Sequence, residues 1–274
     1  MDIISIENLS KKYEHFKLDN LNLKIPTGSV IGLVGANGAG KTTLIKLLLG
    51  IVKKDSGNIN MINKEEIGIV LDDAFLPELL KINDINQIMK NVYKNWDEKL
   101  FQEYLRKFNL TNNLTIKSLS KGMKKKLEIA TALAHKPRLL ILDEPTSGLD
   151  PIVRGEVLDL FREFMEDDTH SILISSHITS DLESIADYIV LIDNGKIILN
   201  KSITDIMDNY GIIHCTKEMF HKLTPECISY RQNKYDYEIL VDNKKEIKKK
   251  YKDLNIDKAS IDEMMYLIIR GEKQ

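Results

Sequence analysis

The segment VIGLVGANGAGKTTLIKLLL, Val30 to Leu49, decides the fold. Val30 to Val34 is an apolar run of strand length, Gly35 to Thr42 is a glycine-rich loop, and Leu44 to Leu49 has the apolar content of a buried helix face. Strand, glycine loop and helix in that order form the arrangement that phosphate binding requires. Gly35, Gly38 and Gly40 let the backbone curl so that successive N–H groups face one centre, and the helix N-terminus adds positive potential there. Lys41 brings a point charge for β- and γ-phosphates, and Thr42 a hydroxyl for Mg²⁺. Asn37, Ala39 and Thr43 complete the candidate contacts of the loop. The expected ligand is ATP or GTP with Mg²⁺.

Outward from this segment, the chain up to about residue 200 alternates short β-branched runs with longer helical stretches. That pattern predicts an α/β fold, a mainly parallel sheet with helices on both faces. Further strands are expected at Ile67 to Leu71, Leu139 to Leu142, Ser171 to Ser175 and Tyr188 to Ile192. Between Pro77 and Ser118 the apolar spacing is helical and reads as an insertion. After Ile198 the character changes to a strand-like Gly211 to Thr216, an alternating Tyr235 to Val241 and a Lys-rich stretch from Lys244 to Lys252. We place a domain boundary there, with 1–204 as the main domain and 205–274 as a small α+β accessory domain. A last helix is expected from Ser260, which forms a Ser-x-x-Glu capping pattern with Glu263 and buries Ile261, Met264, Met265 and Ile268.

Composition narrows the function classes. The 274 residues carry 39 basic and 41 acidic side chains, so no global field favours nucleic acid or an anionic membrane surface. No apolar stretch approaches the roughly twenty residues of a spanning helix. The start, Met1-Asp2-Ile3-Ile4, predicts no secretory signal. The two cysteines, Cys215 and Cys227, fit a reduced cytosol better than a disulfide framework. His214 and His221 lie near them, but the spacing matches no standard zinc pattern. The run Lys124-Lys125-Lys126 reads as a solvated helix face.

From Leu119 to Asp150 the sequence is LSKGMKKKLEIATALAHKPRLLILDEPTSGLD. An apolar strand that ends in two acids exposes a carboxylate pair at the carboxyl edge of a sheet, where ligands of open α/β sheets bind. Asp143 is then the candidate for Mg²⁺, and Glu144 is placed to orient or deprotonate an attacking water. Ser120 and Gly122 offer a hydroxyl, backbone N–H groups and a helix terminus to an anion. This segment closely resembles the ATPases of ABC transporters, and the resemblance covers roughly residues 1 to 200. Leu119 to Met123 is similar to the family signature, Leu139 to Glu144 to its Walker B strand, and Ser147 to Asp150 to its D-loop. His177 stands where the family has its switch histidine, and Tyr13 where an aromatic stacks on adenine.

The resemblance implies a P-loop NTPase that hydrolyses ATP with Mg²⁺ at the cytoplasmic face of the membrane. It implies two partners: an integral-membrane permease subunit, and a second ABC ATPase subunit, identical or related, whose γ-phosphate Ser120, Gly122 and Asp150 would close over. No nucleic-acid partner is expected. His177 would contact γ-phosphate and help hold the water. Two positions depart from the family pattern. Lys121 and Met123 replace glycine and glutamine in the signature, a variant similar to antibiotic- and peptide-exporting systems of Gram-positive bacteria. Asp72 stands where the Q-loop normally has glutamine, so it becomes a candidate metal contact, with Asp73 as the alternative. Export of an antimicrobial, toxin or lantibiotic-like peptide is the expected role. A soluble ABC ATPase acting on ribosomes or DNA, and a non-hydrolysing regulatory module, remain as alternatives.

Overall fold

The structure, a computed structural model, describes residues 2–72 and 76–273. Asp73, the alternative to Asp72, therefore lies outside the described residues. The chain opens with two long strands, β1 (Asp2–Lys12) and β2 (Lys17–Pro26). Leu21, Leu23 and Ile25 point inward and Asn22 and Lys24 outward, the period of two that a half-buried strand needs. β3 (Val30–Val34), α1 (Lys41–Leu48), β4 (Ser56–Met61) and β5 (Ile67–Val70) follow. The region expected to be a helical insertion contains α2 (Ile82–Val92) and α3 (Glu98–Lys107). Next come α4 (Lys121–Leu133), β6 (Leu139–Asp143), α5 (Pro151–Phe164), β7 (Ser171–Ser175), α6 (Thr179–Ile185) and the hairpin of β8 (Tyr188–Asp193) and β9 (Lys196–Ser202).

The central sheet has six strands in the order β5-β6-β7-β3-β8-β9, parallel throughout except for the β8–β9 hairpin. Its strands alternate between two cores. Ile31 and Leu33 of β3, with Leu139 and Ile141 of β6, pack against α1 and the strands β1 and β2. Val30, Val34, Leu140 and Leu142 pack against α3, α4, α5 and α6. One face thus carries, besides α1, the antiparallel sheet β2-β1-β4. The strands β1, β2 and β4 share the cover of that face with α1, because their apolar residues alternate rather than run together.

Beyond α7 (Ile203–Asn209), the chain forms β10 (Gly211–Cys215), α8 (Lys217–Leu223), β11 (Ser229–Gln232), β12 (Tyr237–Val241), α9 (Lys244–Lys250), β13 (Asp257–Lys258) and α10 (Ile261–Arg270). These strands make an antiparallel sheet in the order β11-β12-β10-β13. Ile213, Phe220, Leu223 and Ile239 build a small core of their own. Leu240, Ile261, Met264 and Leu267 instead join the helix-side core of the main sheet, and the Ile261 N–H donates to Glu183 Oε1 at 2.8 Å. Ser260 and Glu263 close the capping box at the start of α10. Leu267 is buried there, whereas Met265 and Ile268 are half-buried, since the helix turns Leu267 onto the face of Met264.

Burial pushes the thiols of Cys215 and Cys227 up to about 11, so both stay protonated at neutral pH. His214 faces Asp236 at 3.2 Å, and among the described residues no cluster of metal-ligating side chains gathers. Among the described residues no helix is long and apolar enough to cross a membrane.

Candidate nucleotide site

The loop between β3 and α1 needs its glycines for two separate reasons. Gly35, Gly38 and Gly40 have φ of 153°, 81° and 119°, backbone that other residues rarely adopt. A Cβ on Gly35 would lie 2.2 Å from the Ile192 carbonyl oxygen, and one on Gly40 2.7 Å from Leu18 and 2.9 Å from Phe16. The loop is therefore clamped against β2, β8 and their neighbours. The Gly195 N–H, in the β8–β9 turn, donates to the Ala39 carbonyl at 2.9 Å. Lys41 is 7% exposed, and its ammonium donates to the carbonyls of Gly35 at 2.7 Å and Ala36 at 3.3 Å. Burial pushes the Lys41 pKa below its ordinary value, while Glu144 and Asp143 act in the opposite direction.

This loop forms one wall of a pocket of about 690 Å³. Of the residues expected from the sequence, Tyr13, Asn37, Gly38, Gly40, Lys41, Thr42, Thr43, Asp72 and Glu144 line it. Gly35 and Ala39 support the loop from behind. Asp143 is 2% exposed and sits beneath Glu144 at the end of β6. His15, Phe16 and Asn194 also line the pocket and were missed. Asn194 had a readable signal, since Asn-Gly between two apolar runs marks a hairpin turn; which cavity that turn borders is a tertiary fact. Phe16 had none beyond its proximity to Tyr13, whose ring centroid lies 6.4 Å away.

The acid edge is held by long-range hydrogen bonds. The Ser175 hydroxyl of β7 donates to Asp143 Oδ1 at 2.5 Å. Glu144 has φ of 51°, an uncommon conformation for a residue with a side chain, and its N–H donates to the Ser175 carbonyl at 3.1 Å. Strain of this kind, about 1 kcal/mol or more, persists only where the surroundings over-determine it. The His177 Nδ1 lies 2.6 Å from Glu144 Oε2, and the His177 N–H donates to the same oxygen at 3.2 Å. Below this pair Asp181, 1% exposed, accepts from the Thr146 hydroxyl at 2.7 Å and from Arg154 Nε at 2.5 Å. The turn after Glu144, the helix α6 that follows His177 and the helix α5 are thereby joined through one buried carboxylate.

Ser120, Gly122 and Asp150 line no part of this pocket. The Ser120 hydroxyl caps α4 by accepting from the Met123 N–H at 3.2 Å. Asp150 caps α5, accepting from Ile152 and Val153 at 3.0 Å each. The two segments pack together: a Cβ on Gly148 would meet the Lys121 ammonium at 2.5 Å, and one on Gly122 would touch Leu149 and Val153 at 3.7 Å.

The solvated reading of Lys124 to Lys126 fails at its centre. The Lys125 side chain is 4% exposed, because it shares a helix face with the buried Ile129 and Ala132 at i+4 and i+7. Its Nζ donates to the Leu71 carbonyl at 2.9 Å and lies 3.0 Å from Glu128 Oε2. That ion pair lacks the angles of a hydrogen bond, and burial pushes the Glu128 carboxyl upward against the pull of Lys125. Lys126 is largely covered too, pairing with Glu156 and lying 5.6 Å above the Phe108 ring.

Comparison with known proteins places this geometry. A family model described as ABC transporter matches residues 18–147. The chain is 39% identical over 209 residues to the lantibiotic transport ATP-binding protein SrtF of Streptococcus pyogenes, covering 73% of this chain and 90% of that one. It is 37% identical over 212 residues to the bacitracin transport ATP-binding protein BcrA of Bacillus licheniformis, covering 72% and 68%. A solved ATP-binding subunit of an ABC transporter superposes with a TM-score of 0.68 at 26% identity, covering 74% of this chain and 91% of the other.

Proposed function

Because the chain belongs to the ABC transporter family of ATP-binding subunits, we propose that two such subunits sandwich ATP and Mg²⁺ and drive a separate membrane-embedded permease. The observation that carries the reading is the 2.6 Å contact of His177 with Glu144, which lines the Lys41 pocket while His177 stands beside it. The loop N–H groups and Lys41 bind the β- and γ-phosphates, and Tyr13 stacks on the adenine. Glu144 accepts a proton from the water whose oxygen attacks the γ-phosphorus as the bond to ADP breaks. His177 holds the Glu144 carboxylate in line and reaches the γ-phosphate.

The donor set fits Mg²⁺. Asp143 is buried with Oδ1 committed to Ser175, which leaves its other oxygen for an ion, and Thr42, a hydroxyl-bearing residue, lines the pocket. Mg²⁺ takes one or two carboxylates plus phosphate oxygens and waters rather than a cage of acids. Asp143 and Thr42 would hold it, with Asp72 a third candidate, and its charge would offset that of the phosphates.

Ser120, Gly122 and Asp150, which line no part of their own pocket, are assigned to the ATP of the second subunit. The subunit would work at the cytoplasmic face of the membrane. The names of SrtF and BcrA support an antimicrobial or lantibiotic-like peptide as the exported cargo. Residues 205–274 are assigned to an accessory domain, supported by the small core of Ile213, Phe220, Leu223 and Ile239, while Leu240, Ile261, Met264 and Leu267 anchor it to the core of the main sheet. A chain ending at residue 204 that still binds ATP supports that boundary, and one that does not fold moves it.

Glu144→Gln keeps the shape of the side chain but removes its basicity, so turnover should fall by about 10²-fold or more. The variant should accumulate an ATP-bound dimer on size-exclusion chromatography with ATP and Mg²⁺. Wild-type turnover in this variant would sink the assignment of Glu144.

A further inference from the structure

Lys125 is a charged side chain in the interior that the chemistry proposed above does not use. It stands on α4, the helix that Ser120 caps, and its ammonium donates to the carbonyl of Leu71. Leu71 lies just past β5, whose ladder with β6 ends at the Val70 and Leu142 pair. The next residue is Asp72, on the wall of the nucleotide pocket. A single buried ammonium therefore joins the Ser120 helix to the strand end that carries Asp72.

Stability alone does not account for this pair. Removing two charges from water is costly, and apolar residues of the same volume often do as well or better. Glu128 adds to the cost, since neither of its buried oxygens makes a hydrogen bond of good geometry. What an ammonium supplies and a methyl group does not is direction, because it must face an acceptor. Glu128 keeps the charge in place from the same helix, three residues on, and the Leu71 carbonyl is the acceptor across the gap.

We propose that Lys125 is a positioning residue: braced by Glu128, it holds the Leu71 carbonyl and so sets Asp72 against the pocket, carrying movements of the Ser120 helix to that wall. The proposal rests on the nucleotide reading of the pocket, but its first readout does not.

The test compares three variants of the full chain with wild type. Lys125→Met combined with Glu128→Leu replaces the pair by apolar groups of similar size, so its melting temperature should stay near that of wild type. Without nucleotide, hydrogen exchange across residues 67–72 should run about tenfold faster in this double variant, the scale of one lost charged hydrogen bond. With ATP and Mg²⁺, kcat should fall about tenfold while KM for ATP stays within about twofold. Glu128→Gln keeps the Lys125 contact with Leu71 and loses only the charge of the brace, so both readouts should shift by no more than about twofold even where it lowers stability. Lys125→Met alone should reproduce the faster exchange together with a lower melting temperature. Wild-type exchange over 67–72, or wild-type kcat, in the double variant overturns the proposal. So does a Glu128→Gln variant that shifts both readouts as far as the double variant, because the effect would then follow stability alone. Wild-type protein that fails to hydrolyse ATP would break the nucleotide reading instead, leaving the exchange result to decide the role of Lys125.

Discussion

The glycine-loop edge and the Ser120 to Asp150 edge of the molecule differ in where their polar groups find partners. At the first edge the groups converge on a cavity: Lys41, Thr42, Asp72 and Glu144 line it, and His177 meets Glu144 beside it. At the second, Ser120 and Asp150 cap the helices α4 and α5, and Lys121, Gly122, Gly148 and Leu149 pack on one another. The first edge thus forms a pocket within one chain, while the second is a capped and packed surface whose Ser120, Gly122 and Asp150 line no part of that pocket. Rigidity costs nothing extra at the moment of association, so a capped, packed segment suits a surface presented to another molecule. The contrast supports assigning the two edges to opposite sides of a shared ATP.

The contrast is most exposed at Asp181, which braces the first edge. Asp181→Ala strands Thr146 and Arg154 beside a buried void, and removing one partner of a buried charged network costs about 3–5 kcal/mol. We expect a large drop in melting temperature. Asp181→Asn should fold and bind ATP but turn over more slowly, because the loops bearing Glu144 and His177 lose their shared anchor. Wild-type kcat in the Asn variant would show that the brace is purely structural.

A step smaller is Lys41→Ala. Hydrogen bonds to a charged group contribute about 1.5–3 kcal/mol, so ATP affinity in the isolated subunit should fall by on the order of a hundredfold. A fluorescent ATP analogue reports this directly, and unchanged affinity would remove the cradle from the argument.

The smallest effect sharpens the comparison most. Ser120→Ala removes an N-cap, costing about 1 kcal/mol of stability. ATP affinity of the isolated subunit should not change, whereas the ATP-dependent dimer expected of Glu144→Gln should fail to form when the two substitutions are combined. If Ser120→Ala weakens ATP binding to the monomer as Lys41→Ala does, the two edges are not different in kind.

How much of this was legible depends on the range of the interaction. The phosphate loop was readable because its requirements are local: left-handed backbone at Gly38 and Gly40 can be met by glycine and by little else. The acid pair at the end of β6 was readable for the same reason, as an apolar run that stops at Asp143 and Glu144. The strands β1 and β2 are legible through their period of two, as at Leu21, Leu23 and Ile25, but that they pair with β4 into a second sheet beside α1 is a tertiary fact. The lysine run misleads because charge is an imperfect proxy for exposure. At Lys125 the helical period overrides that proxy, since i+4 and i+7 are apolar and buried.

By itself, then, the sequence determined the α/β alternation, the place of the glycine loop and the acids that end β6, all of which follow from backbone conformation and side-chain period over a few residues. Only the tertiary structure decided that His177 meets Glu144, that Asp181 ties two loops to α5, that Asn194 and Phe16 border the pocket and that Lys125 points inward to Leu71. Each of those contacts joins residues well apart along the chain or depends on which turn packs beside which. The physical reason is that a residue's type limits what bonds it can make, while its partner is chosen by how strands and helices stack, and stacking is set by the whole apolar pattern at once.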